Sequence, residues 1–394
     1  MRWHRMGKHN AGIDELVANL CLSDGKPTQV IEGIPMHIIL GAPRQPEPYN
    51  DTYPMTSPLA LQDGSIQFRL SIIADLDRKS RDANDSSTFN SYLKSGRFTI
   101  QPEWKGASIV WNDNSTVSTG VGTENKTIDP DSSQTMYYGA GGRINSQFAF
   151  GNRGMELSSL VTFNGKLYAC EDRTGIIFQI VDHKVIPWVI LADGNGTRPR
   201  GFKCEWTIVR DEHLYVGSHS ADIKHIHRDG PSVEAGQRWV KKISKEGLVE
   251  HLDWEPVYLA LEQHLGVKPP GYVMHETVLW SDIQKTWYFM PRQISHENYT
   301  EERHPYTCSN LMIYANENFT DIRSMPIGEH NPIYGFSAAR FVPGTDDTVI
   351  IALRIMEIDE IFSTRIIVFS ITGTIHLVEE EVLNGLKYEG LEFT

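Results

Sequence analysis

The sequence predicts an all-β protein folded as a five-bladed β-propeller, and three observations carry that expectation. Short runs rich in Val, Ile, Tyr, Phe and Trp, punctuated by Gly, Asp-Gly and Asn-Gly, dominate the chain after residue 48. Pairs of such runs recur at intervals of roughly 50 to 70 residues. The final run, at the C-terminus, has no downstream partner, and the first, near Ile72, has no upstream one. A ring of four-stranded blades around a central channel, closed by its own two ends, has these properties.

Taken in order, residues 1–48 read as an N-terminal extension with weak periodicity, ending in the proline-studded stretch Gly41–Pro48, and residues 49–394 as the propeller domain. Five apolar strands each run into polar residues: Ile72–Asp75, Leu167–Asp172, Leu214–Ser218, Trp287–Arg292 and Val349–Arg354. The last four follow shorter strands that carry an oxygen near their start, beginning around Met155–Ser158, Glu205–Trp206, His275–Glu276 and Gly335–Ser337. Tyr388–Phe393 is the fifth of that set, and the strand near Ile72 is its natural partner. Asn164-Gly165 between two apolar runs predicts a type I′ hairpin. Val257–Leu265 is the best helical pattern and is expected to decorate a loop. Between Trp111 and Gly151 lies an insertion of about twenty residues whose glycines, Gly139 to Gly142, lack the Lys-Ser/Thr of a phosphate loop, so a surface loop is expected. Trp188, Trp206, Trp239, Trp254 and Trp280 are assigned to blade cores rather than to base stacking, and His275 to packing.

Composition removes several function classes. The 394 residues carry 37 Lys+Arg and 50 Asp+Glu, and 37 − 50 gives −13. No basic block is present to displace phosphate counterions, so nucleic acid is excluded as a partner. No run of 18 or more apolar residues supplies a membrane span; Ile34–Leu40 is short and broken by His37. No apolar h-region follows the basic Met1–Asn10. Cys21, Cys170, Cys204 and Cys308 form no zinc spacing. Asn50, Asn84, Asn114, Asn125, Asn195, Asn298 and Asn318 each head an Asn-x-Ser/Thr triplet, where roughly two or three are expected by chance. That excess points to the secretory pathway, with any leader or anchor outside this chain.

The strand starts hold the chemistry. Ser158, Glu205, Glu276, Ser337 and Glu389 occupy equivalent places in the five units, so if inner strands converge on an axis, so do these oxygens. Three carboxylates with hydroxyls, and no sulfur, make a hard-cation set, and calcium, which takes 6–8 oxygens, suits it better than magnesium.

The motifs Ile72–Asp77, Arg153–Ser158, Phe163–Tyr168, Asp172–Gly175, Val185–Leu191, Gly201–Trp206, Pro270–Glu276, Gly335–Ser337 and Lys387–Phe393 resemble those of the calcium-activated apyrase family, which includes the soluble calcium-activated nucleotidases, the bed-bug-type salivary apyrases and nematode relatives. The resemblance runs from about residue 49 to the C-terminus. It implies a five-bladed propeller with axial Ca2+ on Ser158, Glu205, Glu276, Ser337 and Glu389. It also implies hydrolysis of nucleoside di- and triphosphates to monophosphate and inorganic phosphate, with Asp75 and Asp172 at the catalytic acid positions. Arg153, Arg173, Lys203, Arg292 and Arg354 lie beside the motifs and could bind phosphate oxygens. Relatives can dimerise, so a homodimer is a further expectation. This chain departs from the family at Ser218–Ala221, where members typically read Gly-Lys-Glu-Trp, at Pro291–Gln293, where one cation is missing, and mildly at Glu171–Arg173. The first departure puts base preference in question and motivates the alternative of a calcium-binding propeller that binds nucleotide or protein without turnover. A glycosidase, with spaced carboxylates around the same axis, is the other alternative.

Overall fold

The computed structural model describes residues 47–112, 141–221 and 237–394, with the short strands Gln29–Ile31, Ile34–Met36, Thr116–Ser118, His225–His227 and Gly230–Ser232. Most of the expected insertion, with Asn114 and Asn125, lies outside the described residues. The chain divides into Met1–Pro48 and Tyr49–Thr394. In the first unit Gln29–Ile31 pairs antiparallel with Ile34–Met36.

The second unit is a five-bladed propeller. Blade 1 is Leu157–Phe163, Lys166–Glu171, Ile176–Val181 and Lys184–Ile190, from the axis outwards; blade 2 is Trp206–Arg210, His213–Gly217, Trp239–Ile243 and Val249–Asp253. Blade 3 is Tyr272–Ser281, Thr286–Ser295, Leu311–Asn316 and Ile322–Pro326; blade 4 is Gly335–Phe341, Val349–Ile358, Ile361–Ser370 and Ile375–Asn384. Blade 5 draws on both ends of the domain: the C-terminal Lys387–Phe393 pairs with Ile66–Asp75, followed by Phe89–Ile100, Ala107–Trp111 and Thr116–Ser118, with Leu59–Ala60 and Gly142–Ser146 added at the flanks. The inner strands touch in sequence, Lys387–Phe393 against Leu157–Phe163, then Trp206–Arg210, Tyr272–Ser281, Gly335–Phe341 and back.

Because each blade has neighbours on both faces, its second strand can bury a continuous apolar run, as Val349–Leu353 does, and the interior is five cores, one per blade interface. Leu157, Leu160 and Ala169 of blade 1 meet Ile73, Phe89 and Leu93 of blade 5. On its other face blade 1 sets Val161, Phe163 and Tyr168 against Phe202, Leu214 and Val216. Each fully buried Leu, Ile or Phe contributes roughly 1.5–3 kcal/mol, so the ring is held by the sum over five seams. Trp206, Trp254 and Trp280 are blade core as expected, with Trp287 among them: Trp254 stands edge-on to Trp287 at 5.2 Å, and Trp280 lies 4.9 Å from Trp287. Trp188 is half-buried on Tyr168, and Trp239 is half-buried.

Asn164 and Gly165 both have positive φ, 49° and 67°, which the type I′ turn joining Phe163 to Lys166 requires. At the centre, Gly390 lets inner strands close up, since a Cβ there would stand 2.7 Å from the Leu160 nitrogen. The helix spans Glu255–His264 and does more than decorate: Tyr258 and Leu261 are buried in the blade 2–blade 3 seam.

Candidate active site

A strand residue destined to face its neighbours can be re-aimed by one extra residue in the ladder. The inner strands do this at the oxygen-bearing positions. Cys170 pairs with Ser159 and Glu171 with Leu157, leaving Ser158 as the extra residue. Phe336 pairs with Arg354 and Ala338 with Leu353, leaving Ser337; Tyr388 pairs with Ala74 and Gly390 with Ile73, leaving Glu389. In blade 3 the register shifts on both sides of His275, and the extra residue falls within Glu276–Thr277. In blade 2 Glu205 donates its N–H to the Gly217 carbonyl at 2.8 Å, although Gly217 already pairs with Trp206. All five positions are buried.

Cations join these positions to the ends of the second strands. Arg292 Nη1 donates to both Glu276 oxygens at 2.9 and 3.1 Å and lies 3.5 Å from Glu389, while its Nη2 donates to Glu357 at 2.8 Å. Lys387 Nζ lies 3.0 Å from Asp75, 2.7 Å from Asp77 and 3.2 Å from Glu389. Lys203 Nζ donates to Asp172 Oδ2 at 2.8 Å and to Glu205. Arg153 donates to Glu156 at 2.6 Å and to Asp77 at 3.0 Å; Arg173 donates to Glu156 at 3.0 Å. Asp75 closes Ile66–Asp75 and Asp172 directly follows Lys166–Glu171, so both stand at the same rim. Arg354 differs: it is buried over the Phe336 ring and donates to the Asn331 and Tyr334 carbonyls.

The acids do not share one protonation state. Burial and Asp77 push the Asp75 carboxyl well up, because Asp75 competes with Asp77, Glu357 and Glu389 for the single Lys387 ammonium. Burial works against the Asp77 anion too, but Lys387 and Arg153 overcome it and hold that carboxyl at about 2. Asp172 is likewise held below the ordinary range: Lys203 and Arg173 outweigh its burial. Burial raises Glu276 to about 7 and Glu389 to about 8, against Arg292 and Lys387. At the rim, Asp172 and Asp77 are thus held toward the ionised form and Asp75 toward the neutral one.

A model of the apyrase family matches residues 76–394. The chain belongs to the apyrase family. It is 40% identical over 345 residues to soluble calcium-activated nucleotidase 1 of Rattus norvegicus, covering 88% of this chain and 78% of the relative. It is 36% identical over 334 residues to apyrase apy-1 of Caenorhabditis elegans (84% and 85% covered) and 33% identical over 345 residues to an apyrase of Cimex lectularius (87% of each).

In this apyrase-family chain the donor set fits a hard cation. Glu205, Glu276, Glu389, Ser158 and Ser337 offer only oxygens, and Ser158 Oγ is buried without a hydrogen-bond partner. An orphaned buried hydroxyl costs about 1–3 kcal/mol unless a ligand uses it. Ser337 donates its proton to the Tyr388 carbonyl at 3.0 Å, which leaves its lone pairs free. Among the described residues the carboxylates whose oxygens all lie within 4.8 Å are nonetheless Asp75, Asp77 and Glu156, not the three glutamates, between two of which the Arg292 guanidinium is wedged.

Several partners escaped the sequence reading: Asp77, Glu156, Glu357 and Lys387. One signal was available for Lys387, which stands two residues before the ring glutamate Glu389 in one strand, where alternate residues share a face. The departing segment Ser218–Ala221 is buried rather than open: Ser218 Oγ donates to Gln237 at 2.6 Å and its carbonyl accepts from Trp206 Nε1, while the His219 carbonyl accepts from the His275 N–H. His275 is buried against Tyr258 and Phe289, as expected of a packing residue. Cys170 and Cys204, which show no metal spacing, form a disulfide.

Proposed function

We propose that this apyrase-family protein hydrolyses nucleoside di- and triphosphates to monophosphate and inorganic phosphate in a calcium-dependent reaction at the axial rim. The observation that supports this reading is the placement of five buried oxygen donors at one rim with the strand-end Asp75 and Asp172 and a set of cations. Ser158, Glu205, Glu276, Ser337 and Glu389 would hold the calcium. When bound, it would supply positive charge to phosphate oxygens and to water.

The chain's own residues supply the rest. Asp172, kept ionised by Lys203 and Arg173, is suited to orient the attacking water and take its proton; its Oδ1 accepts no hydrogen bond. Asp75, held toward the neutral form, is suited to donate a hydrogen bond to a phosphate oxygen. Arg153, Arg173, Lys203 and Arg292 can exchange a carboxylate partner for phosphate, offsetting the charge that develops in phosphoryl transfer. Arg354 supports the rim through the Asn331 and Tyr334 carbonyls.

Residues 49–394 are the catalytic domain in this reading and residues 1–48 an extension. We place the protein in the secretory lumen or outside the cell: Asn84, Asn195, Asn298 and Asn318 are all exposed and free to take glycans, and a disulfide is present. Among the described residues no helix is long and apolar enough to cross a membrane. A homodimer is part of the proposal. The test is phosphate release from UDP, GDP, ADP, ATP and AMP with calcium, magnesium or chelator, on the parent and Asp172→Asn. Calcium-specific turnover of all but AMP, lost in the variant, is expected; calcium-dependent stabilisation without turnover would instead support a binding module.

A further inference from the structure

We propose that the Cys170–Cys204 disulfide is a positioning element for hydrolysis: it fixes Asp172 of blade 1 and Glu205 of blade 2 at the spacing that Lys203 bridges. The inference rests on the reading of those residues as the site. Cys170 precedes Asp172 by two residues and Cys204 directly precedes Glu205. Their Cα atoms are 6.2 Å apart across 34 residues of sequence, so the bond joins two adjacent blades at the rim.

The backbone ladder is interrupted on both sides of this bond. The blade 1 ladder is disturbed between Cys170 and Glu171. On the blade 2 side, Phe202 donates its N–H to Leu191 and Glu205 donates to Gly217, and the two residues between them are outside any strand. Lys203 spans Asp172 and Glu205, but its ammonium sits on a flexible four-carbon stem and is partly exposed, so it can follow a drifting partner as readily as hold one. The cystine has no such freedom. Both of its residues are buried, 1% and 0% exposed, in the seam formed by Val161, Phe163, Leu214 and Val216. Reductants do not reach it in the folded chain, which makes it a permanent clamp and not a switch. Sites of this kind tolerate about 0.5 Å of drift, and roughly 1 Å of misplacement can cost about a hundredfold in rate.

The experiment compares the full-length parent with two double variants, Cys170→Ala/Cys204→Ala and Cys170→Ala/Cys204→Val, the second retaining more apolar volume should the first fail to fold. kcat and KM for UDP at saturating calcium, and the calcium Kd by titration calorimetry, are measured well below each melting temperature. Expected are a kcat lowered about tenfold with KM changed less than about twofold, and a calcium Kd raised several-fold. A kcat and calcium Kd both within twofold of the parent, with only the melting temperature lowered, would overturn the proposal and leave the cystine a staple. If the parent binds calcium but does not turn over UDP, the hydrolase reading fails and the Kd comparison decides alone. A parent that does neither removes the site and the clamp together.

Discussion

Lys203 Nζ stands 2.8 Å from Asp172 Oδ2 while also donating to Glu205, so one ammonium neutralises a candidate base and a candidate metal ligand from different blades. Both carboxylates are buried; Lys203 and Arg173 hold Asp172 below the ordinary range, whereas burial still raises Glu205 against the same ammonium.

Removing that ammonium should therefore matter more for stability than a surface charge does. Lys203→Met is expected to cost about 1–3 kcal/mol, less than a fully buried pair because Lys203 is partly exposed. Calcium replaces the lost positive charge, so the rise in melting temperature on adding calcium should be larger in the variant than in the parent. Equal rises would show that Lys203 and the cation site are uncoupled.

Ser158 makes the opposite case. Its hydroxyl is buried and orphaned, so Ser158→Ala removes a desolvation penalty of about 1–3 kcal/mol when calcium is absent. Without calcium the variant should be at least as stable as the parent; its calcium affinity should fall several-fold. A variant that loses stability in chelator but keeps its calcium affinity would refute the assignment of Ser158 as a ligand.

Acidity should weaken cation binding in a definite window. Burial raises Glu276 to about 7 and Glu389 to about 8 from an ordinary 4.5, so the folded protein holds protons there that the unfolded chain has already released. Without calcium, the stability these two groups confer is complete below their unfolded values and is lost as pH climbs to about 8. Calcium needs the ionised forms, so binding must expel protons through that interval and tighten as pH rises. Calorimetric titrations in buffers of different ionisation enthalpy should show more protons released near pH 6 than near pH 8.5. No release near pH 6 would mean that these glutamates are not ligands.

The ring and its five oxygen positions were legible because each recurs. A strand start followed by an apolar strand, repeated five times, needs no knowledge of which blades touch. The bulges that re-aim Ser337 and Glu389 were not legible, since an extra residue shows only against its partner strand. Nor was the pairing of Arg292 with Glu357, or of Cys170 with Cys204, because each joins residues brought together only when blades close. Lys387 was visible inside a motif, yet of its four acidic neighbours only Glu389 shares its strand; Asp75 and Asp77 lie together at the end of Ile66–Asp75, and Glu357 belongs to blade 4.

Closure of the ring should be the costliest feature to disturb, and Glu392 tests it away from the candidate site. This residue of the last strand is 1% exposed. Its carboxylate accepts from Arg340 Nε at 3.0 Å, from the Thr162 N–H at 2.9 Å and from the Tyr53 hydroxyl at 2.8 Å, tying blade 5 to blades 1 and 4 and to the start of the domain. Glu392→Ala leaves a half-buried guanidinium and a buried N–H without their acceptor, at a cost of about 3–5 kcal/mol. Glu392→Gln keeps one acceptor oxygen and should cost less than half of that. Deleting Lys387–Thr394 removes the partner of Ile66–Asp75 together with buried Tyr388, Leu391 and Phe393, and should abolish cooperative folding. Urea unfolding of the three variants gives the ranking. For the folded point variants, kcat per native molecule should stay within twofold of the parent, because the lost contacts lie at the far end of the inner strands from Ser158 and Glu389; a selective loss of kcat at parental stability would contradict that separation.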